Sequence, residues 1–224
     1  MVTNARMRAC ACGAALFIGG AGAHAGLVEI HSSDSYSETT DWEYIFQLPQ
    51  FDDMGGTRTL LSVDVTLEAM IGAHAMVENL ENWEHEITMT IDAFVSLSFL
   101  DEPLVAPTGV SNEQVFMAAP YDGMSDFDGP SGAGFDLSGS DTASTSRSGP
   151  DDLSPWIGNG MVDLLGQATS LSTAAGPGNV LFVFDTFAAG KVTVTYEFVP
   201  TPGSWTIMLA SAALLVPRRR RPAA

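Results

Sequence analysis

Hydrophobic and polar residues alternate along much of the chain, most clearly between Ile87 and Phe99. One set of alternate positions is wholly apolar and consists of Ile87, Met89, Ile91, Ala93, Val95, Leu97 and Phe99. The positions between them carry mainly Thr, Ser and Asp. Because successive side chains of a strand point to opposite faces of a sheet, this pattern predicts a long strand with one buried face.

Two further segments show the same alternation. The apolar face of the first carries Leu61, Val63, Val65 and Leu67, and that of the second carries Val192, Val194, Tyr196 and Phe198. Shorter strands are predicted at 42–48, 69–77, 115–118, 161–165 and 180–187. The body has no segment with a sustained helical period and helix caps. The sequence therefore predicts an all-β fold, an antiparallel β-sandwich of Greek-key or jelly-roll type.

The composition shifts to Gly, Ser, Asp and Pro between Pro120 and Pro155. These residues favour turns and loops. Apolar residues keep returning within the segment, which argues against a linker between two domains. We interpret it as long loops with one or two short edge strands, one of them at 134–138. The chain shows no internal repeat of the kind found in solenoids or propellers.

Residues 1–25 have the three parts of a secretory signal peptide. Two arginines precede an apolar stretch at 9–20, which ends in a run of small residues. Ala23 and Ala25 form an A-x-A site, which predicts cleavage before Gly26. Both cysteines of the chain lie in this segment, so we expect the mature protein to have neither disulfides nor thiol chemistry.

Charge is distributed very unevenly. All 27 Asp and Glu residues lie between Glu29 and Glu197, whereas only Arg58, Arg147 and Lys191 of the 9 Lys and Arg residues do. Such a body is not expected to bind nucleic acid, because phosphate binding requires clustered Lys and Arg. It favours loosely held divalent cations or a salty exterior. The hydrophobic content of 46% is high enough for a packed core, which argues against disorder.

The C-terminal segment combines a proline motif, an apolar stretch and a basic cluster. The motif is Val199, Pro200, Thr201, Pro202 and Gly203, the apolar stretch is 205–216, and the cluster is Arg218, Arg219, Arg220 and Arg221. As a helix the apolar stretch would be about 18 Å long, a marginal span suited to transient retention in a membrane. Arginines behind such a span stay on the cytoplasmic side, which places the acidic body outside. A plain C-terminal anchor is the alternative.

This order of elements resembles the PEP-CTERM sorting signal, which exosortases read in bacteria that make extracellular polysaccharide. The resemblance assigns recognition to Pro200, Thr201 and Pro202, with Thr201 standing where the family usually has Glu. It implies that an exosortase-type membrane protease or transpeptidase cuts near this triplet. The body would then be released or attached at the cell surface.

The body itself resembles the choice-of-anchor E domain, a family of exported domains that occur with alternative C-terminal anchors. The resemblance is carried by segments at 40–52, 75–80, 126–133 and 178–196, which have the character of strands and turns. It implies a class of protein, the exported and anchored domains, and a location outside the cytoplasm. It supplies no catalytic residues.

The residues single out no catalytic site, since Gly-x-Ser-x-Gly is absent. Carboxylate pairs for glycoside hydrolysis stay open, because among 27 acidic residues some pair falls at a suitable separation by chance. His85 stands between two glutamates on a predicted strand, where it would face away from both, so a transition-metal site is not expected. Asp122, Asp126 and Asp128 offer the hard oxygen ligands that calcium prefers. The alternative for these three is a pair of Asp-Gly turns whose side chains bind their own backbone. Candidates for stacking on a sugar are Trp42, Tyr44, Trp83 and Trp156, with core packing as the alternative.

These features divide the chain into a signal peptide at 1–25, an acidic β-sandwich at 26–198 and a sorting and anchoring segment at 199–224. An N-terminal signal helix and a short C-terminal transmembrane helix would flank the sandwich. We expect an exported, non-enzymatic cell-surface or extracellular-matrix protein. The secretion translocon, signal peptidase and an exosortase-type enzyme would handle it, with transient anchoring in the inner membrane. The alternatives are an extracellular carbohydrate-binding module for polysaccharide and, less favoured, an enzyme acting on polysaccharide.

Overall fold

The computed structural model describes residues 26–35, 37–176 and 178–201. These residues form two antiparallel sheets that pack face to face, which confirms the predicted β-sandwich. The signal peptide with Ala23 and Ala25, the residues Pro202 and Gly203, the apolar stretch at 205–216 and the four arginines lie outside the described residues.

The strands are β1 (Leu27–Asp34), β2 (Glu38–Thr39), β3 (Trp42–Pro49), β4 (Arg58–Asn79), β5 (His85–Phe99), β6 (Glu102–Ala118), β7 (Gly132–Ser148), β8 (Met161–Ala175) and β9 (Val180–Pro200). A short helix, α1 (Pro150–Leu153), and a 3-10 turn (Ser154–Trp156) connect β7 to β8. The first sheet has the order β1-β9-β4-β7, with β2 beside β9, and the second has the order β3-β8-β5-β6.

The inner faces of the two sheets carry the residues that the alternation predicts. The buried apolar side chains of β5 are Ile87, Met89, Ile91, Ala93, Val95 and Leu97, and those of β9 include Val192, Val194, Tyr196 and Phe198. These residues and the inner faces of β3, β4 and β8 form two apolar clusters between the sheets. Period-two alternation is therefore a reliable guide here, because each long strand has one face on the core and one in solvent.

The predicted inner face of β4 is wrong at its first residue. Leu61 is 41% exposed, and Leu60 is buried instead. The pairing of β4 with β9 shifts between Leu60 and Ser62. Strand β4 therefore has one extra residue, Leu61, with no partner in β9. A bulge of this kind reverses the side-chain alternation on one side of it, and no local sequence pattern marks its position.

The expectation of long loops between Pro120 and Pro155 is only partly met. Gly132–Ser148 forms a continuous strand, β7, at the edge of the first sheet, far longer than the predicted 134–138. Its Ser, Gly and Thr residues lie opposite β4, and Gly139 leaves no room for a side chain against Val110 of β6. Small residues thus allow the two edge strands to approach closely, and this tertiary demand overrides the low strand propensity of the segment.

Several predicted short strands are parts of longer ones. The predicted strand at 69–77 continues the one at 61–67 as β4, and 180–187 joins 191–198 as β9. The predicted 115–118 is the end of β6, which begins at Glu102 and contains two prolines. Proline lacks a backbone N–H, and β6 tolerates it because it is an edge strand with a partner on one side alone.

Candidate functional site

The proline motif begins inside the last strand. Val199 and Pro200 are the final residues of β9 and lie opposite Thr59 and Arg58 of β4. The next residue is also held by the fold, because the Thr201 backbone N–H donates to the Thr57 carbonyl oxygen over 2.8 Å. The expected body at 26–198 therefore extends to Thr201 as folded structure. Pro202 and Gly203 follow immediately outside the described residues.

Both ends of the described chain lie at one end of the first sheet. Leu27, at the start of β1, pairs with Phe198, near the end of β9, and Arg58, at the start of β4, pairs with Pro200. We call this end the terminal rim. A chain cut before Gly26 and again after Thr201 would leave both new termini at the terminal rim.

Arg58 holds the terminal rim together. Its guanidinium donates to Glu29 Oε2 over 3.1 Å and to the Asp52 carbonyl oxygen. The same group lies 4.6 Å from the centre of the Phe51 ring and 4.9 Å from that of the Phe198 ring. Cation–π contact and charge-assisted hydrogen bonding thus act on one side chain, which links β1, β4 and β9.

A second set of polar contacts lies directly behind Arg58. Glu29 Oε1 is 2.9 Å from His31 Nε2, and both side chains are largely buried. The His31 ring meets the ring of Tyr196 edge to face, and the Tyr196 hydroxyl donates to the Pro49 carbonyl oxygen over 2.9 Å. Burial, with a smaller contribution from the Glu29 carboxylate, raises the pKa of the Tyr196 phenol. These contacts stabilise the end of β9, and they offer no nucleophile beside a base.

An open groove lies along the start of β4, one strand away from the proline motif. Strand β7 ends at Ser148, opposite Ser62, so the first residues of β4 have no β7 neighbour. The groove there has a volume of about 740 Å³ and is lined by Asp53, Thr59, Leu61, Pro150, Leu153 and Ile157. It leaves the start of β4 accessible on the side away from β9.

The aspartates considered for calcium act as turn residues. Asp122 Oδ1 accepts from the Met124 backbone N–H over 2.9 Å, and Asp126 Oδ1 accepts from Asp128 N–H over 3.1 Å. Asp128 Oδ1 accepts from Gly129 N–H over 2.8 Å. The first two bonds are Asx turns, the alternative that the sequence left open, and the third joins Asp128 to the next backbone N–H. Among the residues with described positions, no three His, Cys, Asp or Glu side chains come together to hold a metal ion.

Glu78 is a residue that sequence reasoning missed. It is fully buried on the outer face of β4, where the loop before β7 covers it, and its Oε2 accepts from the Phe127 backbone N–H over 2.8 Å. Its strand partner is Gly132, whose lack of a side chain leaves space for the carboxylate. A glutamate on the polar face of an alternating strand predicts exposure, and only the covering loop reverses that.

The four aromatic residues considered for sugar stacking do not form one surface. Trp42 and Trp156 are buried in the core, and the Trp42 Nε1–H donates to the Ala188 carbonyl oxygen over 3.1 Å. Tyr44 packs edge to face on Phe46. Trp83 is 51% exposed in the loop between β4 and β5. The core-packing alternative is confirmed for the two buried tryptophans. The prediction of a sugar site built from these four residues is wrong.

Over the described ranges, which omit 1–25 and 202–224, no helix is long and apolar enough to cross a membrane.

No protein-family model matches the chain, and no curated protein matches it. Comparison with solved structures finds particles of infectious bursal disease virus. The structure of its Gt strain is 12% identical with a TM-score of 0.14, and the match covers 82% of this chain and 47% of the viral chain. The VP2 subviral particle is 13% identical with a TM-score of 0.13, covering 82% and 48%. This chain thus spans about half the length of the viral chains. TM-scores this low do not establish a shared fold.

Proposed function

We propose that this chain is an exported, non-enzymatic cell-surface or extracellular-matrix protein that is processed at a C-terminal sorting signal. The observation that carries the proposal is the position of the proline motif. Its first residues, Val199 to Thr201, are bound to β4, and Pro202 follows directly after the folded body. A processing enzyme could therefore cut the chain at this point without unfolding the sandwich.

In this proposal the secretion translocon exports the chain and signal peptidase cuts before Gly26. The apolar stretch at 205–216 then holds the protein transiently in the inner membrane, with Arg218 to Arg221 on the cytoplasmic side. An exosortase-type protease or transpeptidase recognises Pro200, Thr201 and Pro202 and separates the body from this segment. The body remains at the surface or in the surrounding matrix.

The fold supports a structural role for the body. The strand orders β1-β9-β4-β7 and β3-β8-β5-β6 support the jelly-roll form of the sandwich, in which two four-stranded sheets cover each other. The contacts of Arg58 with Glu29 of β1 and Phe198 of β9 would keep the terminal rim folded after the chain is cut near both ends. The strong negative charge of the body resists self-association and fits an extracellular setting.

A motif variant tests the proposal in the native host. Pro202→Ala changes the motif outside the folded strands, and Pro107→Ala in edge strand β6 is the matched control. We expect Pro202→Ala to accumulate in the inner-membrane fraction as the uncut form, while Pro107→Ala is distributed like the unchanged protein. If the two variants and the unchanged protein all show the same distribution among membrane, surface and medium fractions, processing at this motif would be contradicted.

A further inference from the structure

The two sheets separate into a polar cleft between β8 and β9, at the end of the sandwich away from the terminal rim. Ser170 and Ser172 of β8 share the inner face with Ala168, and Thr186 of β9 shares it with Ala188. The other inner positions on these strands carry aliphatic or aromatic side chains or glycine. Hydroxyl groups therefore occupy positions where a closed core would place apolar side chains, and the space between them is an open cleft of about 420 Å³.

Thr40 closes the back of this cleft and fixes its width. Its backbone N–H donates to the Thr186 carbonyl oxygen over 3.0 Å, which ties it to β9. Its Oγ1 lies 2.6 Å from Ser170 Oγ, which ties it to β8 of the other sheet. Deeper along the strands, Ser172 Oγ lies 3.2 Å from Thr186 Oγ1. The hydroxyls thus form two pairs, Thr40 with Ser170 and Ser172 with Thr186, and each hydroxyl oxygen has lone pairs that can accept a further hydrogen bond.

Two aromatic rings form the apolar wall of the same cleft. Phe182 and Phe184 lie on the inner face of β9, and their ring centroids are 5.8 Å apart. Phe182 is 46% exposed although it points toward the space between the sheets, whereas Phe184 packs partly on the core. An inward-facing phenylalanine that stays half exposed is an aromatic surface presented to the cleft.

Hydroxyl pairs and aromatic rings that line one cleft have the chemistry that recognises a pyranose. The ring C–H groups of a sugar pack on an aromatic face, and its hydroxyls both donate and accept hydrogen bonds, as those of Ser and Thr do. The cleft volume of about 420 Å³ falls within the range of small-molecule sites. The body carries 27 acidic residues, so an anionic polymer would be repelled.

We infer that the cleft between β8 and β9 binds a neutral saccharide, with Phe182 as the stacking surface and Thr40, Ser170 and Ser172 as hydrogen-bonding partners. The inference is independent of how the C-terminal segment is processed. This site does not use the tryptophans considered from the sequence, two of which are buried.

Affinity electrophoresis of the full-length protein tests this inference. The gels contain dextran, mannan or hydroxyethylcellulose as neutral polymers, and alginate as the anionic comparison. We expect at least one neutral polymer to retard the protein, and alginate to leave its mobility unchanged. Phe182→Ala should raise the apparent Kd for the retarding polymer roughly tenfold, since it removes the stacking ring. Ser172→Ala should raise it by a smaller factor.

Phe94→Ala is the matched control, because Phe94 is 45% exposed on the outer face of the second sheet, away from the cleft. It should bind as the unchanged protein does, and circular dichroism should show that every variant is folded. The inference is overturned if no neutral polymer retards the protein or if only alginate does. Equal weakening by Phe182→Ala and Phe94→Ala would also overturn it, since the site would then lie elsewhere.

Discussion

The Thr201 backbone N–H is hydrogen-bonded to the Thr57 carbonyl oxygen over 2.8 Å, one residue beyond the β4–β9 pairing. The side-chain oxygens of Thr201 and Thr59 add a contact of 2.9 Å. The C-terminal limit of the folded body is therefore set by paired backbone within the proline motif itself. This relationship links the stability of the terminal rim to the site at which we propose the chain is cut.

Loss of the Arg58 guanidinium should destabilise the sandwich. Arg58→Met keeps most of the stem but leaves Glu29 without its cationic partner, and we expect a loss of about 2 kcal/mol in the free energy of unfolding. Urea denaturation of Arg58→Met, Glu29→Gln and the double variant measures the coupling. The more exposed Lys191–Glu68 pair, at 3.7 Å, is the matched control and should show a coupling of only about 0.5 kcal/mol. Equal coupling in both pairs would contradict a special role for Arg58.

Two glycines test whether the core is as closely packed as the contacts indicate. A methyl group at Gly166 would overlap the ring of Phe46, which is fully buried, whereas one at Gly72 would overlap the ring of Phe187, which is exposed and can turn away. Gly166→Ala should cost about 1–3 kcal/mol of unfolding free energy, and Gly72→Ala clearly less. Thermal denaturation of the two variants decides this. A larger loss for Gly72→Ala would contradict the packing.

Tyr196 makes stability depend on alkaline pH. Its folded-state pKa is raised by burial, so the folded protein retains the phenol proton at a pH where the unfolded chain, with a pKa of about 10, has lost it. Its contribution is fully present below pH of about 10 and falls as pH rises, by up to about 1.4 kcal/mol per pH unit. Tyr196→Phe should show a shallower decline in unfolding free energy above that pH. Identical slopes for both proteins would contradict the burial of this phenol.

The aspartate loop distinguishes a turn from a calcium site by a conservative substitution. Asn retains the side-chain oxygen that accepts from the Met124 N–H, whereas Ala removes it. We therefore expect Asp122→Ala to lose about 1 kcal/mol of stability and Asp122→Asn to lose much less. Differential scanning fluorimetry with and without calcium measures both. If calcium raises the melting temperature of the unchanged protein, and both Asp122→Asn and Asp122→Ala abolish that rise equally, the loop would instead be a metal site.

Much of the fold follows from alternation, and the exceptions have tertiary causes. The inner faces of β5 and β9 are readable because one face of each strand is buried along its length. The bulge after Leu60 and the close approach of Gly139 to Val110 are set by the partner strand, which local sequence does not reveal. Strand β7 is not recognisable from local sequence, since its Ser, Gly and Thr residues have the composition of a loop.

The candidate sites were less predictable than the fold. The polar cleft uses Ser170, Ser172 and Thr186, whose role depends on a facing strand in the other sheet. The one available signal was a pair of serines interrupting the apolar face of β8. The burial of Glu78 depends on its strand partner Gly132, which lies more than fifty positions away in the chain. Positions that require two distant segments to meet carry no periodic pattern.

The central claim, processing at the proline motif, is tested most directly by the intact mass of the protein from the surface and medium fractions of its native host. We predict a species that begins at Gly26 and ends between Pro200 and Pro202, and its loss in the Pro200→Ala, Pro202→Ala double variant. A mass that still includes Arg218 to Arg221 in both proteins would show that the segment is a permanent part of the protein, and would contradict the proposed sorting.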